Sequence, residues 1–131
     1  MTTIDWQQRL GWSDGALLEV RALGYSFLKQ GHYARSKTYF EALIALDPSN
    51  AYDRQTLGAL HLQLGEYDEA LIWLDQAIAL EPTHLPTQIN RAKTLFLLGM
   101  HGEAMTLAIR LSRTADPRIQ SLAQALLMAY S

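Results

Sequence analysis

The chain reads as an all-α fold, a solenoid of stacked helix pairs, and three observations lead there. Gly31, Gly65 and Gly99 stand 34 residues apart. An acid followed by proline recurs at Asp47-Pro48, Glu81-Pro82 and Asp116-Pro117, with spacings of 34 and then 35. Between these marks apolar residues return at helical intervals. A fixed period of this length is the signature of a repeat architecture. Each unit is one helix pair with apolar surface on both sides, stable only when stacked on its neighbours.

The middle unit, residues 51–84, shows the pattern most clearly. Leu57, Gly58, Leu60 and Leu64 form the inner stripe of its first helix, and Ala70, Leu74, Ala77 and Leu80 that of its second. Gly65 ends the first helix as a left-handed cap and Pro82 stops the second. The small residues Gly58 and Ala70 allow the two backbones to approach closely, and Ala77 leaves room for the next unit.

These residues resemble the tetratricopeptide repeat (TPR), whose pattern runs Trp-x2-Leu-Gly-x2-Tyr, then Ala-x3-Phe, then Pro. The second unit supplies Leu57, Gly58, Ala70, Leu74 and Pro82, with His61 in place of the tyrosine and Tyr67 opening its second helix. The first, 17–50, supplies Leu23, Gly24, Phe27, Phe40 and Pro48, with Tyr33 aligned to Tyr67 and Ser36 at the small-residue site. The third is looser: Ala92, Leu95, Gly99 and Ala104 fit, but Arg91 stands where leucine is expected, Ala108 replaces a large residue, and Pro117 comes one position late. The resemblance implies one domain, a right-handed solenoid. It comprises a leading helix over 1–16, repeats over 17–50, 51–84 and 85–116, and a capping helix over 117–131.

The flanking segments read independently as helices. Asp116 is suited to the N-cap and Pro117 to the first helical position, and Ile119, Leu122, Leu126 and Leu127 follow at helical spacing, covering the last repeat. The leader presents Ile4, Trp6, Leu10 and Trp12, and Ser13 or Asp14 caps the helix after it. Two readings stay open for these aromatics: packing on the first repeat, or a homodimer contact through Trp6, Leu10 and Trp12.

Composition narrows the chemistry. The 131 residues suit a single core, and 49% are apolar, too many for a disordered tail. There is no cysteine, so disulfides, thiolate metal sites and thiol catalysis have no residues to use, and a reducing compartment is expected. No signal-like run opens the chain and no stretch approaches a membrane span, so the expected location is the cytoplasm, away from membranes. A net charge of −2 argues against nucleic-acid binding. That charge is uneven: residues 1–84 hold six Lys/Arg against eleven Asp/Glu, residues 85–131 five against two. This is either an ordinary solvated surface or the steering field of an oriented partner. His32, His61, His84 and His101 show no metal-ligand spacing, and His61 is expected to be a hydrogen-bonded core residue. Asp68 and Glu69 open a helix and complement its dipole. No nucleophile or phosphate-loop motif occurs, so the expectation is a non-enzyme with no cofactor and no metal.

The TPR resemblance further implies that the first helix of each pair lines a concave groove. The positions carried over are Leu18, Arg21, Tyr25, Leu28 and Lys29 in the first repeat; Tyr52, Gln55, Ala59, Leu62 and Gln63 in the second; and Pro86, Ile89, Lys93, Phe96 and Leu97 in the third. TPR proteins that hold acidic carboxyl termini use a clamp of lysine, asparagine and arginine. The matching positions here are Arg21, Tyr25, Thr56, Pro86 and Asn90, which do not supply it. The groove suits instead an extended or helical apolar segment of a secreted or assembly subunit. A leading helix, three repeats and a capping helix with an apolar groove are also similar to the class II chaperones of type III secretion, which implies a chaperone that shields a translocator subunit. The alternative is a permanent adaptor within a larger cytoplasmic complex, or a self-associating scaffold.

Overall fold

The computed structural model describes Asp5 and residues 11–131. These form seven helices: α1 (Asp14–Lys29), α2 (Tyr33–Leu46), α3 (Ala51–Gln63), α4 (Tyr67–Leu80), α5 (Leu85–Leu97), α6 (His101–Leu111) and α7 (Pro117–Tyr130). Each packs on its neighbours in sequence, and α3 also meets α5 and α5 meets α7. The described residues are thus an all-α solenoid of helix-turn-helix units with a capping helix at the C-terminal end. The leading segment's Ile4, Trp6 and Leu10 lie outside the described residues. Asp14, Gly15 and Ala16 already belong to α1, because Ser13 takes the N-cap and accepts the Ala16 N–H at 3.0 Å.

The three glycines end the first helix of each pair in the same way. Gly31, Gly65 and Gly99 have φ of 82°, 78° and 79°. In each turn two hydrogen bonds close back on the helix. Gly31 N–H donates to the Leu28 carbonyl at 3.0 Å and His32 N–H to that of Phe27 at 2.9 Å, and the pairs after Gly65 and Gly99 repeat this with 3.1 and 2.9 Å, then 3.0 and 2.9 Å. This is a Schellman termination, which needs a left-handed residue. Helices α2 and α4 instead stop at Asp47 and Glu81, which leave the helical conformation and are each followed by a proline with no N–H to carry the helix on. Asn50 caps α3 through the Asp53 N–H, and Asp116 caps α7 through the Arg118 and Ile119 N–H groups, with Pro117 first in the helix.

Close packing explains the small residues. A Cβ on Gly58 would stand 2.7 Å from Leu74 Cδ2 and 3.2 Å from the Leu74 backbone nitrogen, so α3 and α4 touch backbone to side chain. Gly24 is similarly placed, 2.9 Å from the Phe40 ring. Ser36, the departure at the small-residue site, is buried and donates its hydroxyl to the Gly24 carbonyl at 2.7 Å, so it is satisfied where an apolar residue was expected. Two apolar clusters fill the interior, one around Leu17, Phe40, Leu43, Leu57 and Leu60, the other around Ile89, Leu95, Phe96, Leu107, Leu111 and Ile119. Leu64 and Leu80, expected on inner stripes, are exposed. Each sits at the very end of its helix, past the reach of the partner helix.

Candidate protein-binding groove

The first helices of the units, together with α7, share one surface. Tyr25 and Leu28 from α1, Tyr52, Gln55, Thr56 and Ala59 from α3, and Pro86, Thr87 and Asn90 from α5 surround a shallow depression of about 160 Å³. Asn90 also borders a larger one of about 410 Å³, lined by Ile89, Lys93, Leu122, Ala125, Leu126, Ala129 and Tyr130. A mostly apolar trough therefore runs from α1 to α7.

The trough gathers Tyr25, Leu28, Tyr52 and Gln55 at one end and Ile89 and Lys93 at the other. Leu18, Leu62 and Lys29 line neither depression, although the Lys29 ammonium lies 5.7 Å from the centre of the Tyr25 ring. Tyr25 and Tyr52 keep 45% and 40% of their surface exposed, which makes them the accessible aromatics of the trough. The Tyr52 ring stands edge-on to buried Phe40 at 6.1 Å. Burial raises the Tyr52 phenol above its usual pKa, Thr56 opposes this through a hydrogen bond, and Tyr25 and Asp53 add to the rise. The phenol is thus a neutral donor at physiological pH. Thr56 and Thr94 spend their hydroxyls on the carbonyls one turn back, Tyr52 and Asn90, which keeps the helix walls satisfied.

Two expected groove residues are otherwise employed. Phe96 is only 2% exposed and stacks on Tyr130 at 4.7 Å with an interplanar angle of 9°, so it anchors α7 beneath the trough. Arg21 is clasped. Its Nε and Nη2 donate to the two carboxylate oxygens of Asp53 at 2.6 and 2.8 Å, and Nη2 also reaches Asp47 at 3.3 Å. The Asp53 hydrogen bond, outweighing the cost of burial, raises the Arg21 pKa further above its ordinary value. Arg91, where leucine was expected, is likewise bound, by Asp75 at 2.6 Å and Glu103 at 2.8 Å, and so ties α5 to both α4 and α6.

The groove-facing stripe of α7 is what the sequence reading passed over. Leu122, Ala125, Leu126, Ala129 and Tyr130 follow the i, i+3, i+4, i+7, i+8 rhythm of a helix face. Ile119 and Ala123, at the edge of this stripe, enter the core. An apolar face that broad on a terminal helix was the available signal that it is a wall of the groove as well as a cap. His61 is buried as expected, its Nδ1 3.0 Å from Glu66, which Lys37 also reaches at 3.3 Å. Among the described residues no three His, Cys, Asp or Glu side chains are grouped to hold a metal ion, and no helix is long and apolar enough to cross a membrane.

The family model described as Tetratricopeptide repeat matches residues 21–84. Residues 21–84 thus carry the tetratricopeptide repeat. No curated protein matches this chain by sequence. Solved structures do match it. The type III secretion translocator chaperone SycD of Yersinia enterocolitica aligns with a TM-score of 0.77 and 19% identity over 95% of this chain and 94% of that one. PcrH, in complex with the chaperone binding region of PopD, aligns at 0.72 with 25% identity over 92% of each. The first TPR of Spaghetti (RPAP3), bound to the HSP90 peptide SRMEEVD, aligns at 0.77 with 18% identity over 89% and 94%. Solved structures of this fold thus include one bound to a segment of PopD and one bound to the peptide SRMEEVD.

Proposed function

We propose that this TPR protein is a chaperone of the type III secretion kind, which holds an apolar segment of a translocator-like partner in the trough between α1 and α7. The carrying observation is the character of that trough: mostly aromatic and aliphatic side chains from four helices, with Lys93 as the one Lys or Arg among its lining residues and Arg21, on the face of Tyr25, held by two aspartates. The likeness to PcrH bound to a PopD segment supports the reading, since it spans nearly the whole of both chains. Each apolar side chain seated in the trough contributes roughly 1.5–3 kcal/mol. Three or four such anchors, less the several kcal/mol lost on association and ordering, give an affinity of about micromolar. The groove shields the segment from aggregation and releases it when a competing machinery takes it.

Fluorescence anisotropy with two labelled peptides tests this reading: the chaperone binding region of PopD and SRMEEVD. The PopD segment is expected to bind at about micromolar Kd and SRMEEVD at least about tenfold more weakly. Changing Tyr25 and Tyr52 together to lysine is expected to weaken the PopD segment at least about a hundredfold, as loss of two anchors requires. Ile72→Lys, on α4 away from the trough, should have no effect. A preference for SRMEEVD, or indifference to the tyrosine changes, overturns the proposal.

A further inference from the structure

The Arg21 clasp lies beside two residues of the trough, one turn from Tyr25 on α1 and next to Tyr52 on α3, and does more than join two repeats. Arg21, Tyr25 and Lys29 follow one another at four-residue steps on α1, so they share a face, and Tyr25 of that face lines the trough. Opposite them, Asp53 follows Tyr52 at the start of α3. Asp53 is fully buried, whereas Asp47, the other carboxylate on Arg21, keeps 30% of its side chain exposed. A guanidinium gripped through Nε and Nη2 by one buried carboxylate presents its best hydrogen-bonding edge to the protein and not to a ligand. The remaining cation on that face is Lys29, a single point charge against the Tyr25 ring.

We propose that Asp53 is a specificity-determining residue: by holding Arg21 it prevents Arg21 and Lys29 from acting together on the carboxylates of an acidic peptide, and so keeps the trough selective for apolar segments. This rests on the groove reading above and adds the residue that enforces its selectivity. Without the Asp53 carboxylate, the Arg21 fork keeps only the longer, 3.3 Å contact to partly exposed Asp47, and a peptide carboxylate can compete for it. Tyr52, between the two, feels Asp53 and Arg21 with opposite sign, which places the clasp within electrostatic reach of the trough.

The experiment measures SRMEEVD and the PopD segment on wild type, Asp53→Asn and the double change Asp53→Asn with Arg21→Met. Asp53→Asn is expected to bind SRMEEVD at least about tenfold more tightly than wild type, as one gained charge-assisted hydrogen bond allows, with the gain shrinking as salt rises. The double change is expected to cancel the gain, and the PopD affinity to stay within about twofold throughout. A folded Asp53→Asn protein that gains nothing for SRMEEVD overturns the proposal. If Asp53→Asn does not fold, the wild-type Arg21 Nε–H resonance decides. A signal unmoved by excess SRMEEVD bears the proposal out, and one that shifts on titration overturns it. Failure of the groove reading is separately visible, as a wild-type protein that does not bind the PopD segment.

Discussion

Gly58→Ala adds one methyl group at the tightest point of the molecule. The new Cβ would lie 2.7 and 2.8 Å from Leu74 Cδ2 and Cγ and 3.2 Å from the Leu74 backbone nitrogen. Leu74 is fully buried, so its side chain has no free space to retreat into, and its nitrogen moves only if α4 moves. Overpacking of this kind costs about 1–3 kcal/mol, and contact with backbone puts the site at the upper end. Against it stands the roughly 1 kcal/mol gained when alanine replaces glycine inside a helix. The expected net loss is about 2 kcal/mol, or a fall of about 8 °C in Tm for a chain of this size. Gly102→Ala is the internal control. It lies in α6 with nothing within 4 Å of its added Cβ, and it is expected to stabilise by about 0.5–1 kcal/mol. Urea denaturation of both variants reads the difference in sign. A double-mutant cycle with Leu74→Ala sharpens it: the pair should be more stable than the sum of the single changes by about 2 kcal/mol. If Gly58→Ala stabilised as Gly102→Ala does, the close approach of α3 and α4 would be refuted.

Two further outcomes follow from specific contacts. Lys37, through its hydrogen bond, together with His61, holds the Glu66 carboxyl below its usual pKa against a smaller opposing effect of burial. A lowered folded-state pKa gives stability that is present above the ordinary carboxylate value and lost as pH falls through the folded one. Glu66→Gln is therefore expected to be less stable than wild type in neutral buffer and equal to it well below about pH 4, as urea melts across pH will show. Phe96→Ala removes the buried partner of Tyr130 and is expected to cost about 3–5 kcal/mol. Tyr130→Ala should cost less and, by hydrogen exchange, loosen α7 ahead of the other helices.

The parts of this molecule that a reader of the sequence can find are those written locally. A glycine that must be left-handed, an asparagine or aspartate with its side chain on the next turn, and a proline that forbids continuation all act within a few residues. Hence Gly31, Gly65 and Gly99, Asp116, and Pro48 and Pro82 stand where their spacing says. The groove was legible by face but not by occupancy. Periodicity puts Phe96 on the same side of its repeat as Leu28 and Leu62, yet only the return of α7 decides that Tyr130 lies on it. Arg21 and Asp53 are 32 residues apart, and no spacing rule distinguishes a cation offered to a ligand from one already paired across two helices.

The three left-handed turns have a consequence for how the protein comes into being. Each reversal is made by one glycine with open space around its Cα and two hydrogen bonds to the turn just completed. Nothing from a distant part of the chain is needed to define it. As the polypeptide leaves the ribosome, every hairpin of helices can close soon after its second half emerges, and the next docks on an edge already in place. Synthesis and assembly then run in the same direction, and α7 docks on an edge that the helices before it have already formed.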